Sequence, residues 1–405
     1  MYLSWDALSV AFLDQRDFSN GYSPLYEALF GYAAPIATKR AAGQPLAPNE
    51  KAFVDLLESE WADRKLFTGT YAALLWAAAI HATVLAGDVE AKAVARFYET
   101  AGGKYNPAQD RAALYQALDG LFKNPSVILR NFLRERNLQT NEVSRGVLWL
   151  IPAILLTCRT ANLPITLIDL GCSAGLNLVS DTQPWRWKVI DGPDRTLNVS
   201  DGSTPLMTMW LDFGVESEAE RTMQPGEQPK LNVAKRIGYD LNPPNTSDPA
   251  DVLALRACVW GDQKVRLERL DRALETFQSA VPTPQIHANN ILDVTRNLHE
   301  QIAPETKLLV VYNSSVTMYM TDEDFTTLKN NIAESFKQLP EGVRALWMEL
   351  EPARHDDPDP FRKLFPVKAH LIRSGESDLR MEYVAHTEPH PQTYIFLPVW
   401  DTLID

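Results

Sequence analysis

The sequence predicts an α/β fold: an open parallel sheet, a helical domain in front of it and a small β insertion within it. Three stretches carry that prediction. Ile165 to Ile168 is a Pro-bounded apolar run that leads to Asp169, passes through Gly171-Cys172-Ser173-Ala174-Gly175 and enters the apolar Leu176-Asn177-Leu178. A short buried strand, a small-residue turn and a helix account for that order. Lys307 to Ser315 contains the fourth strand, and its unbroken Leu308-Leu309-Val310-Val311 suits a sheet covered on both faces. Residues 1 to about 160, by contrast, show helical patterns and no convincing strand pair. Strand, glycine turn and helix in succession are the opening of a Rossmann-like sheet, with a ligand expected at the carboxyl end of the first strand.

At 405 residues the chain is long enough for two or three domains with ample core. The expected division is a helical domain over 1–138 and a Rossmann-like domain over 139–405, with the insertion at about 180–234. Hydrophobic residues at 45% and charged residues at 22% suit a soluble globular protein. The net charge of −13 argues against a nucleic-acid backbone as main partner, since phosphates call for clustered Lys and Arg. A small molecule or a protein is the expected substrate. Cys158, Cys172 and Cys258 have no metal spacing and read as reduced thiols of a cytoplasmic protein. Met1 to Ser9 includes Asp6 and no basic segment before an apolar core, so no signal peptide is expected.

The N-terminal part should contain about six helices. Ser23-Pro24 offers a cap followed by Pro at the first helical position, and Asn124-Pro125 offers the same ahead of Val127 and Ile128. Between them, Lys51 to Leu66, Val89 to Thr100 and Arg111 to Phe122 have helical patterns. Tyr71 to Gly87 is Ala-rich and, at 17 residues, short of the roughly 20 that span a membrane. A buried helix is expected there, with His81 a satisfied core residue and no membrane contact. Further on, Thr140 would cap a helix carrying Asn141, Glu142 and Arg145 at its start and a buried body from Val147 to Leu155. A surface Glu142–Arg145 pair is one account of that polar start. Side chains bordering the glycine turn, with Arg145 gripping a carboxylate, are the other.

The glycine spacing narrows the ligand. A dinucleotide site wants Gly-x-Gly-x-x-Gly, and here Ser173 stands in the middle with the glycines four apart. The order Asp169-x-Gly171-x-x-x-Gly175 resembles the first motif of class I S-adenosylmethionine-dependent methyltransferases, departing from its usual form at Ser173. Gly171 and Gly175 would permit a tight turn and close approach of backbone to ligand. The competing account gives the glycines to the turn alone. Cys172 reads as a small buried filler, although a helix N-terminus would lower its pKa.

Asp169 to Asp240 spans 71 residues, where a strand–helix–strand step to a ribose-binding acid takes about 20. The excess predicts a β excursion, with Trp185 to Val189 and part of Leu206 to Phe213 alternating, Asp191-Gly192 and Asp201-Gly202 as turns, and a loop from Glu216 to Pro229. Arg236 to Asp240 is the expected second strand, ending in an acid placed to accept ribose hydroxyls, and Asp248-Pro249 starts a helix. The mixed charges of Lys264 to Phe277 describe a solvated helix face. Gln285 to Asn290 is the third strand, with Asn289 and Asn290 at its polar end. Arg344 to Glu351, Arg380 to Ala385 and Thr393 to Val399 complete the sheet, the last two joined through His386-Thr387-Glu388-Pro389-His390-Pro391. Glu349, Glu351, His355, Asp356 and Asp357 match no metal motif, and no metal is expected.

Gln139-Thr140-Asn141-Glu142-Val143-x-Arg145, the glycine turn with Leu176-Asn177-Leu178, Asp240-Leu241-Asn242-Pro243, Asp248-Pro249 and Leu255 to Trp260 together resemble an uncharacterised bacterial domain-of-unknown-function family with methyltransferase-like character. The resemblance implies a Rossmann-like methyltransferase sheet behind a helical part, and S-adenosylmethionine as cofactor. On that reading Asp169, Gly171, Ser173, Gly175 and Asn177 hold the methionine part, Asp240 the ribose and Asn289 or Asn290 the adenine. Tyr312 and Asn313 line the methyl path, and Asn141, Glu142 and Arg145 border the pocket. Methyl transfer to a small molecule or protein is the expected activity. A non-catalytic adenosyl-binding scaffold and, further off, a nicotinamide-dependent oxidoreductase are the alternatives, between which fold alone does not choose.

Overall fold

The fold is given by a computed structural model, which describes residues 4–66, 68–139, 141–159, 163–183, 185–190, 196–198, 207–213, 230–352, 364–372 and 379–400. Thr140, the two Asp-Gly turns of the insertion, the loop from Glu216 to Pro229 and the His355 to Asp357 cluster lie outside the described residues. The chain forms two compact units, Met1–Thr140 with Asn245–Glu268, and Asn141–Pro244 with Arg269–Asp405. The sequence suggests a single cut near residue 138; the structure also returns Asn245–Glu268 to the helical unit. The reason is apolar. Ala257 is in that unit's core, Leu253 and Ala254 pack on it, and Trp260 stacks on Tyr26 with ring centroids 4.5 Å apart.

In the first unit the helices Trp5–Ser19, Pro24–Ala41, Pro48–Glu60, Gly69–Leu85, Arg111–Lys123 and Val127–Glu135 enclose one core. Ser23 caps its helix by accepting from the Tyr26 amide, with Pro24 at the first turn. At the second expected start the cap is Ser126, not Asn124, so Pro125 lies outside the helix. Val89 to Thr100 is broken into the 3-10 turns Val89–Ala91 and Glu99–Ala101 around the short helix Lys92–Ala95. His81 is fully buried, with Nδ1 3.2 Å from the Ala257 carbonyl and Nε2 2.7 Å from Thr100 Oγ1. Burial holds its pKa down at about 4, so the ring stays neutral. Among the described residues no single helix is long and apolar enough to cross a membrane.

Among the described residues, the second unit is built on one sheet of eleven strands, mixed but mostly parallel. They are β1 (Pro164–Leu170), β2 (Trp185–Val189), β3 (Thr196–Asn198), β4 (Met207–Asp212), β5 (Asn232–Asp240), β6 (Gln285–Ala288), β7 (Leu308–Ser314), β8 (Arg344–Leu350), β9 (Phe365–Leu371), β10 (Arg380–Thr387) and β11 (Thr393–Phe396). Their order is β3-β2-β4-β11-β10-β9-β8-β7-β1-β5-β6. From β6 to β8 every neighbour is parallel, and the chain reverses its direction of progress between β1 and β7. Such a reversal opens a crevice at the carboxyl ends of the two strands. The sheet's faces sort by alternation. Ile165, Leu167, Val310 and Tyr312 pack with the helix Val147–Arg159, whereas Ile168, Leu170, Leu309 and Val311 pack with Leu328, Ile332 and Phe336 of the helix Asp322–Lys337.

Three expectations are corrected. The insertion has the expected strands as β2 and β4, but β4 pairs in parallel with β11 and so extends the main sheet. The apolar run after the glycine turn is a 3-10 segment, Leu176–Thr182, kinked at Val179, and not an α-helix. β9 has no counterpart among the predicted strands, because Pro366, Lys368 and His370 interrupt its apolar pattern; yet it pairs with both β8 and β10.

Arg236 of β5 fixes that 3-10 segment. The guanidinium is 2% exposed, donates to the Leu178 carbonyl, and meets both Asp181 oxygens at 2.7 Å. Removing one partner of a buried pair leaves the other charge stranded. Asp181→Ala is expected to lower unfolding free energy by about 3–5 kcal/mol in urea titrations, and the double variant Asp181→Ala/Arg236→Met to recover much of that loss.

Candidate functional site

The site is built where β1 and β5 end. As β1 finishes, the amides of Gly171 and Cys172 both donate to the Tyr239 carbonyl, at 2.7 and 3.0 Å. The Ser173 amide donates to Asp240 Oδ2 at 2.9 Å, and the Gly175 amide to the Cys172 carbonyl at 2.8 Å. Four amides of the turn are therefore engaged by the protein itself. A pyrophosphate cradle requires such amides to point at the ligand.

The glycines answer to packing. Gly171 has φ +81°, and a Cβ there would lie 2.2 Å from Val316 Cγ2; at Gly175, φ +76°, it would lie 2.4 Å from Ile286 Cδ1. Protein side chains already take the room that a Cβ at either glycine would need. Cys172 also packs closely, since a Cβ on Gly238 would lie 2.7 Å from its Sγ. Burial, with Asp169 and Asp240 adding, pushes the Cys172 thiol well up, and the helix that would lower it is absent.

What the turn presents is acceptors. Asp169 is buried in register beside Tyr312, whose hydroxyl donates to Asp169 Oδ2 at 2.7 Å. Burial pushes the Asp169 carboxyl up to about 7; the Tyr312 hydroxyl opposes the shift and the charge of Asp240 adds to it. Asn141 Nδ2 donates to the Cys172 carbonyl at 3.2 Å, which leaves its Oδ1 buried without a protein donor. Ser173 Oγ and Asn177 Oδ1 are buried and unpartnered in the same way, on residues 7% and 6% exposed. Three buried polar atoms without a protein partner thus gather on and beside one turn, and such groups call for a partner from outside the chain. Ser173 also holds φ +51°, a left-handed conformation that costs a non-glycine residue about 1–2 kcal/mol.

The other named residues divide. Asp240 is half-buried and joins the turn through Ser173, while its Oδ1 accepts from the Asn242 amide at 3.0 Å. Asn289 and Asn290 are exposed; Asn289 donates its amide to the Asp240 carbonyl, and Asn290 caps the short helix Ile291–Val294. Tyr312 and Asn313 cannot share a path, because adjacent strand residues project to opposite faces. Asn313 lies on the other face, donating to Glu351 Oε1 and accepting from Trp347 Nε1, each at 2.7 Å. Glu351 also accepts from the Val316 and Thr317 amides, so this cluster holds the loop whose Val316 meets Gly171.

Asn141, Glu142 and Arg145 are buried at 8%, 5% and 9% exposure. Glu142, rather than Thr140, caps the 3-10 turn Val143–Gly146, and the α-helix starts only at Val147. The second Glu142 oxygen meets His390 Nδ1 at 3.2 Å, and Arg145 Nε donates to the Pro389 carbonyl at 3.0 Å. His390 is the residue that sequence reasoning misses. It stands between two prolines in the link from β10 to β11, and nothing in the sequence pairs it with Glu142.

Two expectations follow. Gly171→Ala should destabilise the protein by more than the roughly 1–2 kcal/mol of a left-handed alanine, because Val316 must also move; urea titration measures it. The second concerns Asp169, which holds its proton to about pH 7 when folded and to about 3.8 when unfolded. Between those values the folded state binds more protons, so stability falls as pH rises, by up to about 1.4 kcal/mol per unit. Asp169→Asn should remove this slope, as measured by urea titrations from pH 4 to 8.

No curated protein matches the chain. A family profile described as "Uncharacterized protein conserved in bacteria" matches residues 18–395, a span that takes in the glycine turn, both strand-end carboxylates, the Asn141 to Arg145 turn and His390. On that match the chain belongs to the bacterial family DUF2332.

Proposed function

We propose that the second unit binds S-adenosylmethionine at the β1–β7 crevice and transfers its methyl group to a small molecule or a protein. The observation that carries this reading is the acceptor-rich turn: Asp169, Asp240, Asn141 Oδ1, Ser173 Oγ and Asn177 Oδ1 around amides that are already engaged. The turn's amides are already engaged by the protein and do not cradle a pyrophosphate, which disfavours the nicotinamide alternative. The acceptors around them favour a cation rich in donors. The bound group supplies such donors, an ammonium and two ribose hydroxyls, and an electrophilic methyl on a cationic sulfur.

The chain's residues would act as follows. Asp169, ionised by the arriving charge, holds the ammonium together with Asn141 Oδ1 and Asn177 Oδ1. Tyr312 keeps the Asp169 carboxylate oriented and so acts through it. Asp240, whose oxygens accept from the Ser173 and Asn242 amides at the end of β5, would take the ribose hydroxyls. Asn313 supports the loop over Gly171 and leaves the methyl path. In-line placement of acceptor and methyl then provides much of the acceleration.

Calorimetry tests the reading. S-adenosylmethionine and S-adenosylhomocysteine should bind and raise the melting temperature, and NADH should do neither. Because the ammonium requires ionised Asp169, affinity should rise as pH rises through about 7, with protons released on binding below it. Asp169→Asn should cost about 1.5–3 kcal/mol of binding, tenfold or more, and flatten the pH dependence. Binding of NADH without either adenosyl compound would refute the proposal.

A further inference from the structure

We infer that His390 is the general base of this site, with Glu142 as its positioning residue; the inference rests on the methyl-transfer reading above. The two residues come from distant parts of the chain and meet at one end of the sheet. β10 is antiparallel to β9, which is antiparallel to β8, so β10 ends at the same edge as β7 and β1. The turn after β10 carries His390 to that edge, and Asn141, next to Glu142, touches the glycine turn through the Cys172 carbonyl.

The pair has the geometry of an oriented imidazole. Glu142 is 5% exposed, and its Oε1 is fixed by the Ser144 amide and hydroxyl at 3.3 and 2.9 Å. Its Oε2 lies 3.2 Å from His390 Nδ1, whose side chain is 28% exposed. A buried carboxylate on Nδ1–H selects the tautomer with a basic Nε2, the arrangement in which a carboxylate orients a histidine base. The turn itself is pinned at both ends. Arg145 Nε holds the Pro389 carbonyl, while Glu388 accepts from the Gln392 and Thr393 amides at 3.1 and 2.9 Å. Among the described residues, Glu142 meets His390 directly, Arg145 holds the carbonyl before it, and Glu388 and His386 belong to the same link and to the end of β10.

The step balances without a further reactant. A protonated acceptor gives its proton to His390 Nε2 as its lone pair forms the bond to the methyl carbon. The carbon–sulfur bond breaks with its electron pair on sulfur, so the sulfonium charge ends on the imidazolium beside Glu142. A carboxylate at that place stabilises the charge as it arrives.

The test reads His390 directly, so it needs no identified acceptor. In the full-length protein, 1H–15N spectra of the imidazoles follow His390 through a pH titration, with His390→Gln assigning the signal. The expected results are an Nδ1–H tautomer and a pKa lowered in Glu142→Gln, where the carboxylate that favours the imidazolium is gone. Carbethoxylation of His390 by diethyl pyrocarbonate should also slow when S-adenosylmethionine is bound to the wild-type protein. A titration unchanged in Glu142→Gln, or carbethoxylation unchanged while calorimetry shows S-adenosylmethionine bound, overturns the base and leaves the cofactor reading standing. S-adenosylmethionine failing to bind overturns both. The protection measurement on wild type decides the matter if Glu142→Gln does not fold.

Discussion

One carbonyl, that of Tyr239, accepts from the backbones of both Gly171 and Cys172 where β1 gives way to its turn. The turn is thereby laid against the end of β5. The next residue of β5, Asp240, is brought under the Ser173 amide, and Gly238, two residues earlier in the strand, leaves room for the Cys172 side chain. Donors that a phosphate would use are spent in making this junction. Carbonyl and carboxylate oxygens remain, and on the function proposed above they would suit a positive, donor-bearing ligand in place of an anion.

That exchange explains why the glycine motif is readable and still misleading about its reason. A turn that admits a ligand and a turn that admits Val316 and Ile286 want the same residue. Sequence shows that a side chain is forbidden at 171 and 175; only the fold shows what forbids it. The same holds for Tyr312 and Asn313. Both are visible as the end of a buried strand, but alternation sends one to Asp169 and the other to Glu351 and Trp347.

Local patterns made the parallel half legible. β1, β7 and β8 are largely apolar runs, β5 is marked by its acidic end, and Asp169 and Asp240 fall at or next to strand ends despite the 71 residues between them. What escaped depends on partners distant in sequence. β9 disguises itself with Lys368 and His370, and His370 meets its Glu349 partner only across the β8–β9 pairing, at 2.5 Å. Asn245–Glu268 carries the apolar Leu253, Ala257 and Trp260, and nothing local states which core they complete. Glu142 and His390 are each unremarkable in their own stretch.

The place of β11 has a consequence for how the sheet is assembled. β4 and β10 flank it, so β2, β3 and β4 join the remaining strands through Thr393–Phe396 alone, within the described order. On a ribosome the insertion strands emerge early and β11 emerges after every other strand of the sheet. Until then β4 and β10 are two open edges, with unpaired backbone groups and the apolar Met209 and Leu211 awaiting burial. Until β11 is made the sheet stays divided at this point, and its two open edges are where pairing with another chain would start.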